Sequence, residues 1–105
     1  MTQTFVFGSK YETVAASQTN QVLGGTGDIG DFLGHLLVIP ATTSPGAVSI
    51  KDGSRTAVTV FAGGASSVSN LAPFCIPVQA KSFSGAWQVT TGADVSVIAV
   101  GDFFG

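Results

Sequence analysis

Ala47-Val-Ser-Ile-Lys51 and Thr56-Ala-Val-Thr-Val-Phe61 alternate apolar and polar residues, and only Asp52-Gly53-Ser54 with Arg55 stands between them. Successive side chains of a strand point to opposite faces, so this period commits the segment to β structure with one buried face. Asp-Gly between two such runs specifies a hairpin, because its turn demands positive φ angles. Val48 and Ile50 then share one face, as do Val58 and Val60.

The rest of the chain follows the same rule. Val, Thr, Ile, Phe and Ser dominate, Gly and Pro recur at short intervals, and no window carries a helical apolar period. Thr4 to Gly8 and Tyr11 to Ala16 are expected as an N-terminal strand pair or an extended arm, and Gln21 to Leu23 as a short strand. His35 to Thr42 reads as a central strand, since apolar residues fall on both of its faces. Ala62 to Asn70 is a loop of small residues. Phe74 to Ala80 is a strand that Pro73 and Pro77 push to a sheet edge or into a bulge. Ala86 to Thr90 and Asp94 to Val100 are expected as a second hairpin across Thr91-Gly-Ala93. Seven or eight short strands with a turn every 8–12 residues or so predict an all-β chain, a single antiparallel β-sandwich or jelly roll, with a closed small barrel as the alternative.

Length and charge bound what such a domain can do. With 105 residues the chain makes one domain, large enough for its own core. Only 10% of the residues are charged, against about 25% in an ordinary soluble domain, while 45% are hydrophobic. A surface so poor in charge suits a subunit packed against other subunits. Lys10, Lys51, Arg55 and Lys81 are the only basic residues and are scattered. Phosphate-backbone binding needs several on one face, so no nucleic-acid partner is expected. No run approaches the roughly 20 apolar residues of a membrane span. Met1 to Phe7 has neither the basic start nor the apolar stretch of a signal peptide, so the expectation is a protein made in the cytosol that stays soluble. Cys75 is the sole cysteine, excluding an intramolecular disulfide, and its apolar setting Pro73-Phe-Cys-Ile-Pro77 predicts a core position.

The segments that suggest chemistry each have a plainer reading. Gly25-Thr-Gly-Asp-Ile-Gly30 matches the dinucleotide fingerprint, whose glycines bring a pyrophosphate onto a helix N-terminus. Here the chain runs instead into Leu36-Leu-Val-Ile39 and Pro40, leaving no room for that helix, so the glycines read as a strand connection. Asp28 and Asp31 offer too few oxygens for a calcium loop and read as turn residues. His35 is the only histidine and no G-x-S-x-G elbow accompanies it, so no catalytic triad forms around it. The six carboxylates show no pairing that would support a glycosidase. No catalytic residue, metal ligand or cofactor is expected.

Trp87 reads as a core anchor, with a sugar-stacking platform as its alternative role. Phe5, Phe7, Phe103 and Phe104 either close the core or dock on a neighbouring subunit, since aromatic chain ends are usually tied down. With Tyr11 and His35 they make the candidate interface residues.

Two segments, Gly30-Asp-Phe-Leu-Gly-His-Leu-Leu-Val-Ile-Pro-Ala-Thr-Thr-Ser-Pro-Gly-Ala-Val-Ser-Ile-Lys-Asp-Gly53 and Gly85-Ala-Trp-Gln-Val-Thr-Thr-Gly-Ala-Asp-Val-Ser-Val-Ile-Ala-Val-Gly101, cover about two fifths of the chain. In content and order they resemble small virion proteins of tailed bacteriophages, whose endings show a similar W/F-x-V-T-T-G-A-x-x-S-V-I-A-x-G pattern. The resemblance implies a capsid-associated β-sandwich, a head decoration or cementing subunit with no catalytic residues. Its expected partners are the major capsid protein or other virion subunits, with homo-oligomerisation as a trimer before a dimer. The alternative is a receptor- or carbohydrate-binding module of a phage tail or cell surface. That reading requires Trp87 or Tyr11 exposed in a groove beside Asn, Asp or Gln donors.

Overall fold

Alternation is carried into the structure almost residue for residue. The computed structural model describes residues 10–24 and 28–103 and contains eight strands, with no helix among them. They are β1 (Lys10–Val14), β2 (Gln21–Val22), β3 (Phe32–Pro40), β4 (Val48–Asp52), β5 (Val58–Phe61), β6 (Phe74–Lys81), β7 (Trp87–Thr91) and β8 (Val95–Asp102). Every pairing is antiparallel, and the strands form two four-stranded sheets in the orders β1-β8-β3-β6 and β2-β7-β4-β5. The chain is therefore an all-β sandwich, with two separate sheets where the barrel alternative requires one closed sheet. Thr4 to Gly8 lies outside the described residues.

The core is the sum of the inward positions. Val14, Leu36, Val38, Val97 and Ala99 of one sheet face Val48, Ile50, Trp87 and Val89 of the other, all buried. Phe61 and Phe74 close one side with their rings edge to face, centroids 5.2 Å apart. Along the opposite side Glu12 of β1 accepts hydrogen bonds from Gln21 Nε2 and Gly24 N, tying the two sheets together through one carboxylate.

The Asp52-Gly53 hairpin forms as expected. Arg55 N donates to Asp52 O at 2.9 Å, and Gly53, with φ of 55°, supplies the positive angle. A bulge at Val60 places Phe61 opposite Val48, while Val58 lies opposite the inward Ile50 and Val60 still packs against the core. The second expected hairpin is not one. β7 pairs with β2 and β4 while β8 pairs with β1 and β3, so the link between them crosses from sheet to sheet. Its backbone bonds elsewhere: Gly92 N donates to Ala47 O, while Ala93 O and Asp94 O accept from Gly46 N and Ala41 N. Gly46 and Gly92 approach so closely that a Cβ on either would lie 2.8 Å from the other's Cα. That contact needs two glycines and turns the chain into the other layer.

β3 runs down the middle of its sheet between β8 and β6, as its two-faced apolar sequence predicts, although it begins at Phe32 rather than His35. β6 is both an edge strand and irregular, which is what Pro73 and Pro77 imply. The register shifts between Leu33 and His35, where Gln79 takes a φ of 56° and its Nε2 donates to Gly34 O.

Candidate functional site

The two outer faces of the sandwich differ in kind. On the β2-β7-β4-β5 sheet, the outward rows are Val22–Gln88–Lys51 and Thr90–Ser49–Thr59. That face is polar and solvated, as one side of an antiparallel sheet normally is.

On the β1-β8-β3-β6 sheet, the outward rows are Tyr11–Val100–His35–Pro77 and Thr13–Ile98–Leu37–Cys75, followed by Ser96–Ile39. These rows contain no Asp, Glu, Lys or Arg. Leu37, Ile39, Ile98 and Val100 are half-buried, while Tyr11 is 73% exposed at the corner. Charge returns only at the rim, where Asp102 and Lys81 flank Phe32. A cavity of about 360 Å³ sits there, lined by Lys10, Gly30, Phe32, Lys81, Asp102 and Phe103, and Lys10 Nζ donates to the Phe103 carbonyl.

The structure thus brings Tyr11 and His35, far apart in sequence, onto one cross-strand row on either side of Val100. Phe103 is corrected as an interface residue: it is buried in the core and closes the fold. Phe5, Phe7 and Phe104 lie outside the described residues. Cys75 is corrected as well. Phe74, Ile76 and Val78 take the inward positions of β6, so alternation turns Cys75 outward and exposes it on this face.

Asp28, Asp31 and Trp87 serve the fold. Asp28 and Asp31 form a turn in which Asp31 N donates to Asp28 O and Asp28 N to Asp31 Oδ2. Gly25 and Gly27 lie outside the described residues, and the segment leads into strand β3 where a dinucleotide site needs a helix. Trp87 is 7% exposed and its Nε1 donates to the Asp31 carbonyl, which makes it a core anchor. Tyr11 lies opposite Val100, and among the described residues its row and the next carry none of the amide or carboxylate side chains a sugar groove needs. Among the described residues no three of His, Cys, Asp and Glu gather where they could hold a metal ion.

One open cleft of about 600 Å³ lies beside the Asp52-Gly53 hairpin, lined by Ile50, Asp52, Ser54, Arg55, Thr56, Val58 and Trp87. Asp52, Ser54 and Arg55 of this lining are already engaged. The Asp52 carboxylate accepts from the amides of Phe83 and Ser84, and Ser54 Oγ meets Ser84 Oγ at 2.8 Å. The Arg55 guanidinium lies over the Phe83 ring, 5.4 Å from its centroid. These contacts clamp the 52–55 turn to the 82–85 loop.

Leu37, Ile39, Ile98 and Val100 escaped sequence reasoning, although their signal is present. A strand in a two-layer sandwich should alternate, as Val48-Ser-Ile-Lys51 and Trp87-Gln-Val-Thr90 do. Leu36-Leu-Val-Ile39 and Val97-Ile-Ala-Val100 do not alternate, and the described residues supply no third layer to cover their second face. No family model, curated protein or solved structure matches this chain.

Proposed function

We propose that this chain is a non-enzymatic structural subunit that works by burying surface against neighbouring subunits. The setting is the one its sequence resembles, the head of a tailed bacteriophage, where it serves as a decoration or cementing protein. The observation that carries the reading is the charge-free apolar outer face of the β1-β8-β3-β6 sheet. Interface centres are depleted in charge and rimmed by polar groups, and this face has that composition. An open apolar sheet face of this kind marks an interaction site on a soluble domain.

The strand order supports the same reading. β1 pairs with β8, β2 with β7, β3 with β6 and β4 with β5, a two-stranded ribbon folded over on itself. We read that nesting as a jelly roll, an architecture that viral capsid domains use. Architecture alone does not assign function, so the weight rests on the face. Repeated copies on a particle turn modest contacts into firm attachment, which asks no chemistry of the subunit.

Immunodetection of the chain across a density gradient of its source lysate tests this. Co-banding with intact particles is the expected result. Confinement to the soluble fractions, with particles lacking the chain, overturns the proposal.

A further inference from the structure

We infer that the outer face of the β1-β8-β3-β6 sheet binds the same face of a second copy, forming a back-to-back dimer; this rests on the assembly reading above and names its first partner. Three properties of the face select a second copy. The first is charge. An isologous contact sets a patch against itself across a two-fold axis, so a charged centre would meet its own like. The rows Tyr11–Val100–His35–Pro77 and Thr13–Ile98–Leu37–Cys75 carry no carboxylate, lysine or arginine to repel their counterparts. At the rim one negative charge, Asp102, stands among two positive ones, Lys81 and Lys10.

The second property is shape and composition. The outward residues Leu37, Ile39, Ile98 and Val100 are of the same kinds as the inward Leu36, Val38, Val97 and Ala99, which already pack sheet on sheet in this molecule. Two sheets meet face to face about 10 Å apart through residues of this type. The β6 edge of the sheet is less suited to pairing. Pro77 removes a donor from β6, and Gln79 with its φ of 56° breaks the regularity of that edge, so strand addition there is blocked.

The third is area. Strands of five, eight, nine and eight residues, at roughly 3.3 Å per residue and roughly 4.8 Å between strands, give a face of about 475 Å². Two copies would remove roughly 950 Å², with the Tyr11 corner and the rim included, which is the size of a weak, transient interface. The expected dimer is therefore reversible. Sequence reasoning placed a trimer before a dimer, but a flat face meeting its own copy closes at two.

Sedimentation velocity from about 1 μM to about 500 μM brackets a contact of this size. The intact chain should pass from monomer to a species of twice the mass. Leu37→Lys should weaken the dimer by at least about 100-fold, because each substitution counts twice in an isologous contact. Mixing Leu37→Lys with Leu37→Glu should restore a dimer that neither variant forms alone. Ser49→Lys, on the opposite face, should dimerise as the parent does. If Leu37→Lys fails to fold, Tyr11→Lys at the exposed corner replaces it. Alkylation of Cys75 by iodoacetamide gives an independent readout and should slow as protein concentration rises. A parent chain monomeric throughout, a Leu37→Lys variant that still dimerises, or a Cys75 rate independent of concentration overturns the inference. If the chain nonetheless co-bands with particles, the assembly reading stands and the face belongs to another virion subunit.

Discussion

Replacing Gly53 with Ala tests whether the Asp52-Gly53 turn is clamped as tightly as its geometry requires. Two costs add at this position. The backbone φ of 55° is left-handed, which disfavours an L-residue by about 1–2 kcal/mol. A Cβ there would also stand 2.5 Å from both Gly85 N and the Ser84 carbonyl carbon, and 2.7 Å from Ser84 O. Those neighbours are backbone, and they cannot retreat freely. The Asp52 carboxylate holds the Phe83 and Ser84 amides, while Gly53 N donates to Ala86 O. Forcing atoms into such a contact costs about 1–3 kcal/mol. The sum is near 3 kcal/mol, a large share of the roughly 5–15 kcal/mol that stabilises an average domain. At about 4–8 °C per kcal/mol for a domain of this size, Tm should fall by roughly 12–24 °C. Thermal unfolding followed by circular dichroism measures it, and urea titration should show the midpoint move with the m-value unchanged. Gly85→Ala is the control from the other side of the contact. Its Cβ meets only Gly53 Cα at 3.1 Å, so it should cost about 1 kcal/mol or less. Equal losses in the two variants, or a Gly53→Ala variant that melts with the parent, would refute the reasoning.

Trp87 fluorescence should resist acrylamide quenching in the native chain, and Trp87→Phe should cost about 1–3 kcal/mol in urea titration through loss of the bond to the Asp31 carbonyl. Asp52→Asn keeps the shape of the side chain but weakens its acceptance from the Phe83 and Ser84 amides. It should lower stability by about 1–2 kcal/mol in the same titration. Cys75 should react with Ellman's reagent in dilute native protein at close to one equivalent; reaction only after unfolding would return it to the core.

Local chemistry decided much of this fold at the level of sequence. Period-two alternation made β4 and β7 strands with known inward faces, Asp52-Gly53 made a turn, and Pro77 sent β6 to an edge, because each effect acts within a few residues. Alternation also held the signal it was not used for, since the unbroken apolar runs in β3 and β8 are what an uncovered face looks like in one dimension. Which strand pairs with which was not local. β7 and β8 are near in sequence and read as a hairpin, yet the close approach of Gly46 and Gly92 diverts the chain between layers. Only the register across four strands put Tyr11 and His35 on one row, turned Cys75 outward and drew Phe103 into the core. A strand's period fixes which residues share a side, but the layers stacked around it fix whether that side meets protein or water. That last choice is made by packing over the whole chain.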